Sequence, residues 1–235
     1  MAATEFKCKV TVFRNLTPTV FELGFETEPG LTFDAGQFIS IVIPGAGPNG
    51  RDLRRAYSIA SAPEKQPVEL CVKLVEEGPG TSFLGKLRPG DCFRGFAPYG
   101  DFVYEPKAGR HVVFIATGTG IAPFRAMIQS DKYKANPPVS LICLLGVRTE
   151  DELLYTHDFS SQELQWVPTV SRPQTSEYAG FKGRVTDYMR SLHEAHPWLD
   201  TEYYMCGNGD MIKEVKAFLA EKGVLPDSIH QEKYY

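Results

Sequence analysis

Hydrophobic patterning changes character once along this chain, near Tyr104–Arg110, and that change limits the folds open to it. Before it lie short apolar runs cut by turn residues: Lys9–Arg14, Val20–Glu26, Gln37–Ile43, Ala56–Ala60, Val68–Val75 and Asp91–Phe96. Several alternate apolar and polar residues with period two, as strands with one face in a core do. Runs this short and this closely spaced predict a six-stranded antiparallel β-barrel. A helical turn is expected only over Thr81–Leu87, stopped by Arg88-Pro89-Gly90, and residues 45–50 read as a loop.

After the break the texture is different. His111–Ala116 and Val139–Leu145 are near-continuous apolar runs, with His111 and Ser140 their polar members, as parallel strands buried on both faces require. Helices are expected over Ala122–Asp131, Thr186–Glu194 and Asp210–Lys222. In the last, Met211, Ile212, Val215, Phe218 and Leu219 form one apolar stripe, and Gly223 supplies a stop. The fold class expected is therefore two-domain, β followed by α/β: a β-barrel over residues 1–106 and a parallel-sheet α/β domain over residues 107–235.

Composition removes several function classes. The net charge is −4 and no basic run interleaves with aromatic residues, which argues against nucleic acid as a partner. Phe6 and Lys7 already lie in a strand pattern, without the apolar core of a signal peptide, and no apolar stretch is long enough to cross a bilayer. A cytoplasmic, monomeric protein without membrane insertion is the expectation. Cys8, Cys71, Cys92, Cys143 and Cys206 are scattered, which disfavours a disulfide framework, a metal site or an iron–sulfur cluster. Electron chemistry would have to run through an organic cofactor. There is no G-x-S-x-G, and His193-Glu194-Ala195-His196 has the wrong spacing for H-E-x-x-H.

Two constellations carry chemistry. In a strand, Arg55 and Tyr57 of Arg55-Ala56-Tyr57-Ser58 point to one side while Ser58 turns to the other, so one face offers a cation and an aromatic ring. A flavin dinucleotide needs those groups, positive charge for its pyrophosphate and an apolar face for its ring. Gly78-Pro79-Gly80-Thr81-Ser82 adds glycines for close backbone approach and hydroxyls at a helix start. Further on, the run ending at Thr117 feeds Gly118-Thr119-Gly120-Ile121-Ala122-Pro123, a turn that presents peptide N–H groups to a second pyrophosphate. Pro123 stands where the third glycine of G-x-G-x-x-G would be, so a generic dinucleotide-fold dehydrogenase is disfavoured. Gly146-Val147-Arg148 follows the next buried strand, and further on Ser171, Arg172, Lys182 and Arg184 offer cations and hydroxyls of the kind that accept a 2′-phosphate, which favours NADP(H) over NAD(H).

In this order the motifs resemble the ferredoxin–NADP reductase family. The resemblance implies an FAD-binding barrel followed by an NADP(H)-binding α/β domain, hydride transfer between nicotinamide and flavin, and ferredoxin or flavodoxin as electron partner. It implies that Arg55, Ala56, Tyr57 and Ser58 line the FAD, with Ser58 near the reactive flavin nitrogen. It also implies that Cys71, Val72 and Lys73 lie along the flavin and that Gly80, Thr81 and Ser82 bind its phosphates. Thr117, Gly118, Thr119, Gly120, Arg148, Cys206, Gly207 and Met211 would then hold the NADP(H), with Cys206 beside the nicotinamide. Ala97-Pro98-Tyr99-Gly100 resembles the turn that closes the family's barrel. Gly209 stands where the family carries proline, which predicts a looser turn. Glu232-Lys233-Tyr234-Tyr235 resembles the aromatic end of the family: Tyr234 or Tyr235 would cover the flavin, and Glu232 would relay a proton. An oxygenase reductase component, a cytochrome b5 reductase-like enzyme, a reductase of free flavin and a non-catalytic nucleotide-binding subunit remain alternatives.

Overall fold

The computed structural model describes residues 3–192 and 196–234, so the end of the expected helix Thr186–Glu194, the first three residues of His193-Glu194-Ala195-His196, and Tyr235 lie outside the described residues. The chain divides into two compact units, Met1–Tyr104 with Ala122–Lys134, and Glu105–Ile121 with Ala135–Tyr235.

In the first unit every apolar run becomes a strand: β1 (Thr4–Thr17), β2 (Val20–Glu28), β3 (Phe38–Ile43), β4 (Leu53–Ser58), β5 (Val68–Lys73) and β6 (Cys92–Tyr99). They form one sheet in the order β4-β3-β6-β1-β2-β5, paired antiparallel throughout. The end strands meet, because Ile59 bridges Leu70 and the Ala60 N–H donates to the Glu69 carbonyl at 2.8 Å, so the sheet closes on itself as a barrel. Alternation then sends Leu23, Phe25, Ile39, Ile41, Leu70 and Val72 inward. The expected helical turn is α1 (Pro79–Leu84).

Two helices, α2 (Ala122–Gln129) and α3 (Asp131–Ala135), follow the glycine turn. Arg125 of α2 is 8% exposed, yet its guanidinium donates to Glu69 at 2.6 Å and to the Ala60 carbonyl at 3.1 Å, with Glu22 at 3.9 Å. It therefore ties α2 to the seam where the barrel closes. Glu22, buried in turn, also accepts from Arg14 at 2.7 Å.

The second unit carries β7 (His111–Thr117), β8 (Leu141–Val147), β9 (Gln165–Val170), β10 (Phe181–Lys182), β11 (Thr201–Asn208) and β12 (Ile229–Tyr234). Their order is β10-β9-β8-β7-β11-β12, and all pairings are parallel. The helices α4 (Thr156–Ser160), α5 (Val185–Ser191) and α6 (Gly209–Glu221) complete it. The expected stripe of α6 is buried in full and packs with Val113, Ile115, Tyr203 and Met205 of the sheet. Each large apolar side chain so buried contributes roughly 1.5–3 kcal/mol.

One strand has no precedent in the sequence patterning. β12 is polar and was expected only as an aromatic end of the chain, yet it pairs along its whole length with β11, from Tyr203↔Ile229 to Asn208↔Tyr234. An edge strand needs just one partner ladder and does not have to be apolar. Among the described residues no helix is long and apolar enough to cross a membrane.

Candidate dinucleotide sites

The two segments expected to hold FAD meet in the first unit. Register pairs Tyr57 with Ile39 and Arg55 with Ile41, so both side chains share the face of the core isoleucines, whereas Ser58, on the other face, is 6% exposed. Glycine at position 80 lets α1 come down on them: a Cβ there would stand 2.6 Å from the Tyr57 hydroxyl and 3.1 Å from Arg55 Cγ. Burial raises the Tyr57 phenol to about 12, so it stays a hydrogen-bond donor at any physiological pH.

The neighbouring arginines play opposite parts. Arg54 donates to Ser40 Oγ at 3.0 Å and to the Tyr99 hydroxyl at 2.8 Å, and its guanidinium lies 4.2 Å from the centre of the Phe96 ring. It belongs to the barrel wall. Arg55 donates only to the Arg54 carbonyl and makes no ion pair among the described residues, which leaves its charge for an anion.

Thr81 is already engaged, since its hydroxyl accepts from the Val75 N–H at 3.2 Å and reaches the Gly78 carbonyl at 3.2 Å. Ser82 is exposed. The Val72 side chain is in the core, so only its main chain is open to a ligand, and Lys73 is exposed. Cys71 pairs with Glu22, on the face where Arg125 reaches Glu22 and Glu69. Ala56 is exposed beside Ser40.

The second cradle is built from two turns that interlock within the second unit. Gly118-Thr119-Gly120-Ile121 forms a 3-10 turn ahead of α2 rather than opening that helix directly. Gly118 has φ +52 with open space where a Cβ would point. A Cβ on Gly120 would fall on the Cys206 carbonyl oxygen, and one on Gly207 (φ +126) on the Thr117 hydroxyl. That hydroxyl accepts the Asn208 N–H at 2.8 Å. The ends of β7 and β11 thus approach so closely that only glycine fits between them.

The turn at Gly209 is tight, contrary to expectation. α6 starts at Gly209 directly after β11, and the Asn208 side chain caps it by accepting from Asp210 and Met211 N–H at 2.7 and 3.3 Å. The cap replaces the stiffness a proline would bring. Met211 is thereby committed, its N–H to Asn208 and its side chain to the core.

Parallel register gathers the cationic residues at the carboxyl ends of β8, β9 and β10. Val147 pairs with Val170 and Lys182 with Val170, and the main chain continues this order, with Arg172 N–H on the Arg148 carbonyl at 2.7 Å. Ser171 donates its hydroxyl to the Val147 carbonyl at 3.3 Å. Arg148 and Arg172 are exposed and carry no ion pair among the described residues. Lys182 instead donates to the Ser176 carbonyl at 2.9 Å, and Arg184 makes an exposed pair with Glu214 at 3.8 Å. The strand ends of an open parallel sheet are where such folds bind nucleotides.

Cys206 is fully buried and pairs with Glu232, two residues along the ladder from Asn208↔Tyr234. Burial first, then the nearby Glu232 carboxylate, push its thiol well above 9.0, while a hydrogen bond with Tyr234 opposes them. It is a packing group and hydrogen-bond partner rather than a nucleophile. Tyr235 lies outside the described residues. Asn208 carries no nucleotide-binding pattern in the sequence, although an N-cap signal before the α6 stripe points to it. Among the described residues no cluster of His, Cys, Asp or Glu is placed to hold a metal ion.

A closed barrel with a cation-and-tyrosine strand, joined in sequence to a parallel sheet with a glycine-lined turn, defines a flavin- and nicotinamide-nucleotide-binding oxidoreductase. Residues 5–104 match the family model of the oxidoreductase FAD-binding domain, and residues 114–217 that of the oxidoreductase NAD-binding domain. Over 99% of its length the chain is 33% identical to ferredoxin–NADP reductase B of Sorangium cellulosum, and it covers 98% of that protein. It belongs to the ferredoxin–NADP reductase family. The reductase component DmpP of phenol 2-monooxygenase from Pseudomonas sp. strain CF600 is 28% identical over 98% of the chain, which spans 66% of DmpP. The crystal structure of a ferredoxin–NADP+ reductase from Neisseria gonorrhoeae with bound FAD and NADP shares the fold at a TM-score of 0.84 and 21% identity, over the whole of both chains.

Proposed function

We propose that this chain exchanges hydride between NADP(H) and FAD and passes single electrons to or from a ferredoxin or flavodoxin. The observation that carries the choice of NADP(H) is the juxtaposition of two arginines that make no ion pair among the described residues, Arg148 and Arg172, beside Ser171 at adjoining strand ends. FAD, when bound, supplies the acceptor for a two-electron hydride and the donor of single electrons.

The chain's own residues bind and position. Arg55 neutralises the FAD pyrophosphate, helped by the main chain at Gly80, Thr81 and Ser82. Tyr57 packs against the flavin and its side chain, Ser58 offers its hydroxyl to the ring nitrogen that receives hydride, and the main chain of Cys71, Val72 and Lys73 borders the ring. Thr117, Gly118, Thr119 and Gly120 present N–H groups to the NADP(H) pyrophosphate. Cys206 and Gly207 seat the nicotinamide, and Glu232, paired with Cys206 across the β11–β12 ladder, holds the proton that accompanies electron transfer. The donor sets suit the two groups: Arg55 makes no ion pair among the described residues that would offset an anion, and the space beside Gly118 is open where a Cβ would point.

The test is stopped-flow reduction of the FAD-loaded chain by NADPH and by NADH, followed by electron delivery to added ferredoxin or flavodoxin. NADPH should bleach the flavin band much faster. Comparable rates would remove the role given to Arg148 and Arg172, and failure to reduce ferricyanide at all would favour a non-catalytic nucleotide-binding subunit. Similarity to DmpP along nearly the whole chain supports a second reading, a reductase serving an oxygenase component. Transfer to a purified oxygenase but not to ferredoxin or flavodoxin would select it.

A further inference from the structure

Three carboxylates, Glu150, Asp151 and Glu152, follow Arg148 in a 3-10 turn and would be expected to neutralise the neighbouring arginines. Instead they take N–H groups. Both Glu150 oxygens accept from the Gln174 main-chain N–H, at 3.2 and 2.9 Å. Asp151 faces the Gln174 side-chain amide at 3.4 Å, and Glu152 accepts the Arg148 N–H at 3.0 Å. The segment carrying Ser171 and Arg172 is thus held at both ends, by main-chain bonds to Val147 and Arg148 on one side and by the Glu150 carboxylate on the other. Donation from Gln174, first among several main-chain N–H groups, keeps the Glu150 carboxyl below its ordinary value, so the clamp is ionised at neutral pH.

We propose that Glu150 is a positioning residue for coenzyme selectivity: by holding Gln174 it fixes the segment that presents Ser171 and Arg172 to the 2′-phosphate, without touching the coenzyme itself. The inference rests on the NADP(H) reading and adds to it a residue that no nucleotide-binding pattern would select. An ordered segment binds more tightly than a mobile one, because the entropy of ordering it is not charged against the ligand.

Equilibrium binding separates this role from general damage, and it needs no flavin chemistry. Calorimetry on the full-length chain with 2′,5′-ADP and with 5′-AMP isolates the contribution of the 2′-phosphate. In Glu150→Ala the Kd for 2′,5′-ADP should rise roughly tenfold, the scale of losing one hydrogen bond to a charged group, while that for 5′-AMP stays unchanged. Glu150→Gln keeps an acceptor oxygen and should recover most of the loss. With the FAD-loaded chain, the KM for NADPH should rise in parallel with the calorimetric change, leaving kcat and the KM for NADH unaltered. An unchanged ratio of the two Kd values in Glu150→Ala, or equal weakening of both ligands, overturns the inference while leaving the NADP(H) reading in place. A wild-type chain that binds 2′,5′-ADP and 5′-AMP alike removes the NADP(H) reading, and this inference with it.

Discussion

A Cβ on Gly80 would stand 2.6 Å from the Tyr57 hydroxyl, so α1 rests on the Arg-x-Tyr strand through the absence of a side chain. Two motifs separated in sequence by a complete strand become one surface at that contact. The atoms that would be displaced, the Tyr57 hydroxyl and Arg55 Cγ, belong to the side chains proposed to hold FAD.

Gly80→Ala should therefore uncouple folding from cofactor binding. Tyr57 and Arg55 can swing away from a methyl group, which keeps the stability loss to about 1 kcal/mol. Their new positions no longer match the dinucleotide. The ratio of FAD absorbance to protein after purification should fall sharply, while the urea midpoint of the flavin-free chain falls by only about half a molar. Full flavin loading would contradict the assignment.

The two glycines of the second turn should behave differently from each other. Gly120→Ala drives a methyl group into the Cys206 main chain, which cannot rotate out of the way, and should cost about 3 kcal/mol or more. Gly118→Ala meets open space and incurs only the left-handed backbone penalty at φ +52, about 1 kcal/mol. Denaturant unfolding of both variants checks the order.

Thiol chemistry should single out Cys92. It is the exposed member of five free cysteines, whereas Cys8, Cys71, Cys143 and Cys206 are buried. Burial raises the Cys8 thiol to about 12 and pushes Cys143 and Cys206 well above 9.0. A disulfide reagent at pH 8 should titrate a single fast thiol in the native chain, lost in Cys92→Ser, and all five after denaturation.

Acid should weaken the second unit through Glu202. This carboxylate is 2% exposed and is met by Lys107 at 2.8 Å, His230 at 3.0 Å and Arg110 at 3.0 Å. Burial pushes its carboxyl up, but hydrogen bonds from Lys107, His230 and Arg110 outweigh that and hold it below 4.5. A depressed carboxyl contributes stability in full above its unfolded value and loses it as pH falls through the folded one. Glu202→Gln should cost about 2 kcal/mol at pH 7, and the gap to the wild type should narrow below about pH 4.5. Urea titrations of both proteins across that interval measure it, and a gap independent of pH would show that another group carries the acid sensitivity.

Much of this was legible from residue order. The barrel strands answer to period-two runs, and the α6 stripe Met211, Ile212, Val215, Phe218 and Leu219 is buried as read. Arg55, Tyr57 and Ser58 take the sides that alternation assigns them. Less legible was β12, whose polar residues give no periodic signal and become a strand only because β11 offers a free edge. The proline missing at Gly209 suggested a loose turn because the compensating cap, Asn208, acts through geometry that composition does not reveal.

Sequence alone determined the alternation, the buried runs and the glycine positions, because burial periodicity and turn chemistry act over a few residues. Tertiary structure alone decided that Gly120 would sit against Cys206, that Arg125 would close the barrel seam against Glu69, and that Glu150 would accept an N–H from Gln174 rather than pair with an arginine. Those partners are far apart in the chain. Which of several charged or polar groups meet depends on where packed sheets bring their strand ends, and no local pattern carries that information.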